Sequence, residues 1–228
     1  MRFLIHACPQ RMWYVEGYLV PSLLAQGADP DSVEIWNDDK GLGNLRSCMA
    51  SFAARTGDGG TWHIQDDVLL CRDFVKRCSE LDQGVVYGFC SPHFRDEPDL
   101  SGTVYLPDAW HSFQCIRIPD PLARECAEWF STEAPKDPEL RGLIPIGLFD
   151  DYFFSVFMDR RHPEATVTNA KPCLVEHVDR LIGGSVINEW RGHWVRAHWF
   201  ADPDLTDALA AEMEKRETRC HHGSHRKN

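Results

Sequence analysis

Two adjacent carboxylates, Asp66 and Asp67, are the side chains whose type and spacing most directly suggest chemistry. They follow an apolar, β-favouring run over residues 60–65, and a helical pattern of apolar residues begins at Leu70. We therefore predict that they lie where a strand ends and a turn leads into a helix. Adjacent carboxylates repel each other, so one titrates upward unless a cation neutralises both, and carboxylates beside a phosphate suit Mg²⁺ or Mn²⁺. Alternatively, Asp67 caps the helix and Asp66 is simply solvated.

A second acidic pair, Asp150 and Asp151, opens a strongly apolar helix shortly after Gly147. A carboxylate presented from a rigid helix can act as a general base that takes a proton from an acceptor hydroxyl. A helix that begins near Asp151 would leave Asp150 as its cap and would free Asp151 for chemistry. The alternative is that both acids only mark the helix start, where the helix dipole favours negative charge.

Polar residues also follow a predicted strand over residues 33–37. Ligands of open α/β sheets collect at the carboxyl ends of the strands. Asp38 and Asp39 could therefore accept hydrogen bonds from a base or ribose, and Lys40 could meet a phosphate. The glycines of the next turn would allow a ligand to approach the backbone closely. Asn44, which follows them, is also a candidate cofactor-binding residue. The alternative is a glycine-rich turn followed by a capped helix.

A single histidine, His177, ends a predicted strand over residues 172–178. A lone histidine is usually structural, but this one shares its strand-end position with the candidate carboxylates. Imidazole nitrogen is a common ligand of divalent metals. The position therefore favours metal ligation by His177.

These candidates need a scaffold that gathers strand ends. Apolar runs predict strands over residues 3–8, 33–37, 60–65, 84–90, 103–106, 113–118, 165–168 and 172–178. Helical patterns predict helices over residues 11–26, 45–53, 70–81, 119–130, 151–157 and 204–215. Residues 91–102 are expected to form a loop, and segment 190–199 an aromatic cover on the core. The alternation of strands and helices predicts an α/β fold, with an open, mostly parallel sheet and helices on both faces.

Composition limits the class of protein. The 228 residues suit one large domain, which we assign to residues 1–200, followed by a C-terminal helix and a flexible histidine-containing tail over 201–228. The net charge of −11 argues against a broad nucleic-acid surface, because phosphate binding needs a basic face. No apolar run approaches the ~20 residues of a membrane span. Nine cysteines without a CxxC pair, and no signal peptide, predict reduced thiols and a cytoplasmic protein.

Three motifs, taken in order, resemble those of a known family. They are Gln65-Asp66-Asp67-Val68 at a strand end, Asp150-Asp151 at a helix start, and the strand Pro172-Cys173-Leu174-Val175-Glu176-His177 with Gly183-Gly184-Ser185 after it. This pattern is similar to GT-A-fold glycosyltransferases, nearest to the small bacterial and phage-type enzymes related to lipopolysaccharide and collagen glycosyltransferases. The resemblance covers residues 1–190. It departs at Gln65, where the family commonly has an acid.

The resemblance implies a GT-A-like, Rossmann-like fold. It implies transfer of a sugar from a nucleotide-sugar, with a UDP-sugar as the expected donor, to a hydroxyl of a glycan, a small molecule or a modified nucleobase. The implied cofactor is Mn²⁺ or Mg²⁺, held by Asp67 and His177, with Asp66 holding the sugar or assisting the metal. Asp39 would contact the base or ribose of the nucleotide, and the Asp150-Asp151 pair would supply the general base.

Two other functions fit the same residues. A nucleotidyltransferase also uses paired strand-end carboxylates with Mg²⁺, but it acts on a nucleoside triphosphate. A catalytically inactive GT-A-like binding domain is the other alternative, and Gln65 is the one residue that favours it.

Overall fold

A seven-stranded sheet forms the centre of the computed structural model, which describes residues 1–81, 83–89, 103–104, 113–147, 150–184, 197 and 200–223. The strands are β1 (Arg2–Ala7), β2 (Val33–Asn37), β3 (Gly60–Gln65), β4 (Val68–Leu70), β5 (Val85–Tyr87), β6 (Thr103–Val104), β7 (Cys115–Pro119), β8 (Val167–Asn169) and β9 (Val175–His177). The sheet has the order β2-β1-β3-β7-β5-β8-β6, and β4 and β9 form a separate two-stranded sheet.

The helices alternate with the strands along the chain. They are α1 (Met12–Tyr14), α2 (Val20–Ala25), α3 (Asn44–Ala53), α4 (Phe74–Glu80), α5 (Asp120–Thr132), α6 (Asp150–Arg161) and α7 (Pro203–Gly223). A π turn at Val15–Leu19 joins α1 to α2, and 3₁₀ turns occur at Pro9–Arg11, Pro30–Ser32, Ala134–Lys136, Ile144–Ile146 and Asp179–Ile182. Helix α7 continues to Gly223, so the C-terminal helix is longer than the predicted helix over residues 204–215.

Five of the seven central strands run in one direction. β1 is parallel to β2 and β3, and β5 is parallel to β8, whereas β7 is antiparallel to both of its neighbours and β6 is antiparallel to β8. The carboxyl ends of β1, β2 and β3 therefore meet at one edge, which is where the predicted site residues follow them. The prediction of an open, mostly parallel sheet is confirmed.

Both faces of the sheet are covered, because alternate residues of each strand point to opposite sides. On β3, Trp62 and Ile64 join the cluster that packs against the N-terminal helical segment, α4 and α7. Ile116 and Ile118 of β7 join the other cluster, which packs against α3, α5 and α6. Leu209 of α7 is buried in the first cluster, so the C-terminal helix packs on the core.

The acidic pair Asp66-Asp67 does not lead directly into a helix, which corrects the prediction of a helix from Leu70. The pair forms a turn between β3 and β4, and helix α4 begins only at Phe74. Val68 and Leu70 are buried on one face of β4, which forms a strand because it pairs with β9, where Val68 lies opposite His177. The local pattern of apolar residues carries no information about a partner so far along the chain. The alternative in which Asp67 caps a helix is also wrong, since Asp73 precedes α4.

Some predictions fall outside the described residues. These are the loop at 91–102, part of the strand at 103–106, most of the aromatic segment at 190–199, Ser185, and the tail beyond Gly223. Among the described helices, none is both long and apolar enough to cross a bilayer.

A buried histidine pair should make the protein sensitive to acid. The rings of His6 and His63 lie 5.2 Å apart, and the His63 ring packs on Phe52 and Phe113. His6 shares a 2.9 Å hydrogen bond with the Ser47 hydroxyl, whereas neither ring nitrogen of His63 has a hydrogen-bond partner among the described residues. Burial lowers the pKa of His6 to about 4, against the opposing effect of Asp38 and Asp67. Burial also lowers the pKa of His63 well below its ordinary value.

We expect the free energy of unfolding to fall as the pH drops from about 6.5 towards 4. The unfolded chain takes up protons on both histidines in this range and the folded chain does not, so acid favours unfolding. The shift of His6 alone corresponds to a loss on the order of 3 kcal/mol. Denaturant titration of His63→Leu should show a shallower loss between pH 7 and 5 than the wild type. Phe113→Leu removes packing from the same cluster but no titrating group, so its slope should match the wild type. Equal slopes in wild type and His63→Leu would contradict the prediction.

Candidate active site

A cavity of about 690 Å³ opens at the carboxyl edge of β1, β2 and β3. Its lining includes the end of β1, the turn after β2, the start of α3, the Asp66-Asp67 turn and residues 145–147. Of the predicted site residues, Asp38, Asp39, Asn44, Asp66 and Asp67 line it. Lys40, Asp150, Asp151 and His177 are not part of its lining, although Asp150 bonds to Asn44 and His177 lies against Asp67, both of which line it.

The positive charge beside the acidic pair comes from Arg11, which the sequence analysis did not single out. One guanidinium nitrogen, Nη1, donates to Asp66 Oδ1 at 2.8 Å and to Asp67 Oδ2 at 2.6 Å. The other, Nη2, donates to the carbonyl of Gly184 at 2.9 Å. Arg11 follows β1 and the acids follow β3, so parallel strand ends bring them together. A basic residue just after the first strand was the available signal, but its partner lies 55 residues away.

The two carboxyl groups of the turn ionise differently. Burial and the neighbouring Asp67 raise the pKa of Asp66, against the lowering effect of Arg11 and of the Cys8 amide, which donates to it at 2.7 Å. Burial alone would also raise the pKa of Asp67, but His177 and Arg11 hold it well below its usual range. Asp67 is therefore the member of the pair that stays ionised, as a metal-binding carboxylate must.

His177 and Asp67 meet, as the metal-site prediction requires. Val68 pairs with His177 across the β4–β9 ladder, and the Val178 amide donates to the Asp67 carbonyl at 2.8 Å. The His177 Nε2 atom lies 3.3 Å from Asp67 Oδ2 and 3.8 Å from Asp179 Oδ1. The small second sheet thus places a strand-end imidazole against a strand-end carboxylate.

The donor set fits a divalent cation as a two-residue site. Asp67 Oδ1 is buried and has no hydrogen-bond partner in the part of the chain that the structure describes, so one carboxylate oxygen is left there for another ligand. Across the described part of the chain, no three histidine, cysteine, aspartate or glutamate side chains are grouped so that they could hold a metal. Asp67 and His177 would therefore share a Mn²⁺ or Mg²⁺ ion with water and phosphate oxygens, which Mg²⁺ commonly keeps as ligands.

The turn after β2 is closed by Asp38 itself. Its two carboxylate oxygens accept from the backbone amides of Leu42 and Gly43 at 2.8 and 2.9 Å. The left-handed φ of +83° at Gly43 makes that turn possible without strain. Asp38 therefore shapes the cavity wall, while Asp39 and Lys40 are exposed.

The start of α3, the end of β3 and the start of α6 converge on one buried carboxylate. Asn44 Nδ2 donates to Asp150 Oδ1 at 2.7 Å, and Gln65 Nε2 donates to Asp150 Oδ2 at 3.3 Å. The Leu45 amide donates to the Gly147 carbonyl at 3.0 Å, which ties the same two helix starts together. Gln65, the residue that departs from the family pattern, is thus a partner of the second acidic pair.

Asp150 and Asp151 both titrate close to neutrality. Burial and the neighbouring Asp151 raise the pKa of Asp150 to about 7, against the lowering effect of backbone amides and Asn44. Burial raises the pKa of Asp151 to about 6, against the Tyr152 amide, which donates to it at 2.8 Å. Helix α6 begins at Asp150, not at Asp151. Asp150 is 3% exposed, whereas Asp151 is half-buried, so Asp151 is the more accessible member.

Comparison with known proteins identifies the fold. TarS residues 1–349 from S. aureus, a GT-A-type glycosyltransferase, superposes with a TM-score of 0.50 at 11% identity, over 80% of this chain and 62% of that one. The chain therefore spans less than two thirds of the TarS fragment. A Bacillus anthracis protein named for glucose-1-phosphate thymidylyltransferase activity gives a TM-score of 0.37 at 11% identity, over 75% of this chain and 86% of that one. HddC from Yersinia pseudotuberculosis gives 0.32 at 12% identity, over 68% and 98%. Neither a protein-family model nor a curated protein matches the sequence. The TarS superposition shows that the chain has a GT-A-like fold.

Proposed function

We propose that the protein is a metal-dependent glycosyltransferase that moves a sugar from a nucleotide-sugar, with a UDP-sugar as the first candidate, to an acceptor hydroxyl. The observation that carries this proposal is the meeting of Asp67 and His177, 3.3 Å apart, beside a cavity of about 690 Å³ at the carboxyl edge of the sheet. A cavity of that volume suits a ligand of nucleotide-sugar size. The position is where open α/β sheets bind nucleotides.

Each residue near the cavity has a role in this proposal. Asp67 and His177 would hold Mn²⁺ or Mg²⁺, and when bound that cation would neutralise charge on the diphosphate leaving group. Asp39 and Asn44 line the wall where the nucleotide would bind. Asp66 lines the cavity and is fixed by Arg11 and by the Cys8 amide, and in this proposal it would hold the donor's sugar or assist the metal.

The transfer step needs a base for the acceptor hydroxyl. Asp151 supplies it in this proposal, because it is the accessible member of the pair and has a pKa of about 6, so it is ionised at neutral pH. The Asp151 carboxylate takes the hydroxyl proton as the acceptor oxygen bonds to the anomeric carbon. The bond from that carbon to the diphosphate oxygen breaks, and its electron pair leaves with the nucleoside diphosphate.

Asp67→Ala should abolish the metal-dependent part of UDP binding. The variant should remain folded, because Arg11 keeps its hydrogen bonds to Asp66 and to Gly184. Calorimetry with UDP in Mn²⁺ and in EDTA provides the measurement.

His177→Ala should weaken Mn²⁺ binding by about tenfold or more, since losing even an outer partner of a metal ligand typically costs that much. Asp58→Ala, which removes a fully exposed carboxylate, is the matched control. Equal UDP affinity of the wild type in Mn²⁺ and in EDTA would rule out the metal-dependent donor site.

Product analysis separates glycosyl transfer from nucleotidyl transfer. The proposed reaction releases a nucleoside diphosphate from a nucleotide-sugar. A nucleotidyltransferase would release pyrophosphate from a nucleoside triphosphate instead. Pyrophosphate release without nucleoside diphosphate formation, over a panel of nucleotide-sugars and triphosphates, would overturn the proposal.

A further inference from the structure

The carboxylate of Asp150 lies between two amide side chains that border the cavity. Asn44 donates to Oδ1 and Gln65 donates to Oδ2, at 2.7 and 3.3 Å. Asp150 itself is 3% exposed and does not line the cavity, while Asn44 and Gln65 are half-buried and do. The two amides therefore form a layer between the buried carboxylate and the cavity. We call Asn44 and Gln65 the amide pair.

An ionised carboxylate fixes how each amide is turned. It accepts hydrogen bonds only, so each NH₂ group must point towards Asp150 and each amide oxygen must point away from it. Within the described residues, no donor reaches the amide oxygen of Asn44 or of Gln65, and neither oxygen is among the buried unpartnered atoms. The two oxygens are therefore accessible from the cavity. Each NH₂ group also keeps a second hydrogen for another partner.

We propose that the amide pair binds adjacent hydroxyl groups of the donor, on its ribose or on its sugar, and that Asp150 is the positioning residue that orients both amides. This inference rests on the proposed function, in which the cavity holds the donor. A hydroxyl both donates and accepts, and an amide offers an oxygen and an N–H a short distance apart, so the two are complementary. Four carboxylates already line the cavity, from Asp38, Asp39, Asp66 and Asp67. An uncharged side chain that binds the hydroxyls therefore adds no further repulsion of a diphosphate.

The proposal also explains why residue 65 is glutamine. An acid at this position would place a second carboxylate about where the Gln65 amide now lies, 3.3 Å from Asp150 Oδ2. Two carboxylates at that separation would have to share a proton, and the orientation of Asn44 would be lost with the charge of Asp150. Gln65 thus serves the hydroxyl-binding layer and not the metal.

The orientation is tested without any ligand, from the side-chain NH₂ signals of Asn44 and Gln65 in ¹⁵N NMR spectra. Asn44→Leu and Gln65→Leu assign the signals, which are then followed from pH 8 to pH 5.5. Both should shift with one midpoint as Asp150 takes up a proton. The shift should vanish in Asp150→Asn. It should persist in Asp151→Asn, which shows that the neighbouring carboxyl does not cause it. It should also persist in Cys48→Ala, which shows that the buried thiol beside Asp150 does not cause it. Signals that respond identically in Asp150→Asn and in the wild type would overturn the positioning role.

A matched pair of charge variants tests the explanation of residue 65. Gln65→Glu should raise the midpoint reported by the Asn44 signal by one pH unit or more. Gln10→Glu adds the same charge at an exposed position of the same cavity, without contact to Asp150, and should leave the midpoint unchanged. Equal effects of both variants would mean that Gln65 has no specific coupling to Asp150.

Binding of three probes identifies the hydroxyls. UDP, 2′,3′-dideoxy-UDP and UDP-glucose are titrated with Mn²⁺ into wild type and Gln65→Met. About tenfold weaker binding of UDP to the variant, with no loss for the dideoxy probe, assigns the ribose. A loss confined to UDP-glucose assigns the sugar. Unchanged affinity for all three probes would overturn the hydroxyl-binding role. If no probe binds the wild type, the proposed function fails together with that role, and the NMR experiment still decides whether Asp150 orients the amides.

Discussion

Asp151→Asn should lower the rate of sugar transfer by ~10²–10⁴, the usual cost of removing a general base, while donor affinity stays near the wild-type value. The reason is geometric and electrostatic. Asp151 begins the rigid helix α6, is the accessible member of the acidic pair, and has its pKa raised to about 6 by burial. In the proposed reaction the base would contact the acceptor and not the diphosphate. Transfer to acceptor and calorimetric donor affinity, measured side by side, provide the check.

The pH profile of the wild type should agree with that assignment. A base works only when it is deprotonated, so kcat/KM should rise with pH through about 6 and then level off. Because Asp150 and Asp151 lie next to each other, the observed midpoint belongs to the pair.

Two matched variants separate catalysis from helix stability. Asp159→Asn changes an exposed acid on the same helix and should keep wild-type turnover. Asp150→Asn should mainly raise KM for the donor, because it releases the amides of Asn44 and Gln65. If Asp151→Asn retains wild-type turnover, Asp151 is only part of the helix start and the base lies elsewhere.

Much of this site follows from strand ends, which local sequence patterns predict well. The runs that become β1 and β3 are mostly buried, whereas β2 is a half-exposed edge strand, and the ends of all three are placed within a residue or two. Parallel pairing then brings Asp39, Asp66 and Asp67 to one edge without further information. His177 was predicted in the same way, from the end of its own strand, and it lies beside Asp67.

What local patterns miss are partners far along the chain. Strand β4 has three residues and is a strand because β9 pairs with it, so Leu70 looked like the first turn of a helix. The sequence shows Gln65 only as a departure from the acid common in the family, but its amide bonds to Asp150, 85 residues later. Neither relationship has a period or a spacing that a short window could detect.

Arg11→Met should destabilise the protein by about 3–5 kcal/mol, the range found when one partner of a buried ion pair is removed. The side chains of Arg11, Asp66 and Asp67 are only 7%, 9% and 13% exposed, so solvent cannot replace the lost charge. The variant would leave two adjacent carboxylates facing each other at the end of β3. It would also remove the hydrogen bond that holds the Gly184 carbonyl. Denaturant unfolding at pH 7 is the measurement.

The dependence on pH gives this prediction a second check. Arg11 lowers the pKa of both carboxyls, so without it they bind protons more readily than in the wild type, and the penalty is present at pH 7 and shrinks as the pH falls. Arg46→Met removes an exposed guanidinium from the same cavity and should change the stability by no more than about 0.5 kcal/mol. Adding Asp66→Asn to Arg11→Met should restore part of the loss, because one of the two facing charges is gone. A loss below about 1 kcal/mol for Arg11→Met, or one that does not depend on pH, would show that the acidic pair tolerates its own repulsion and that Arg11 is not its structural counterion.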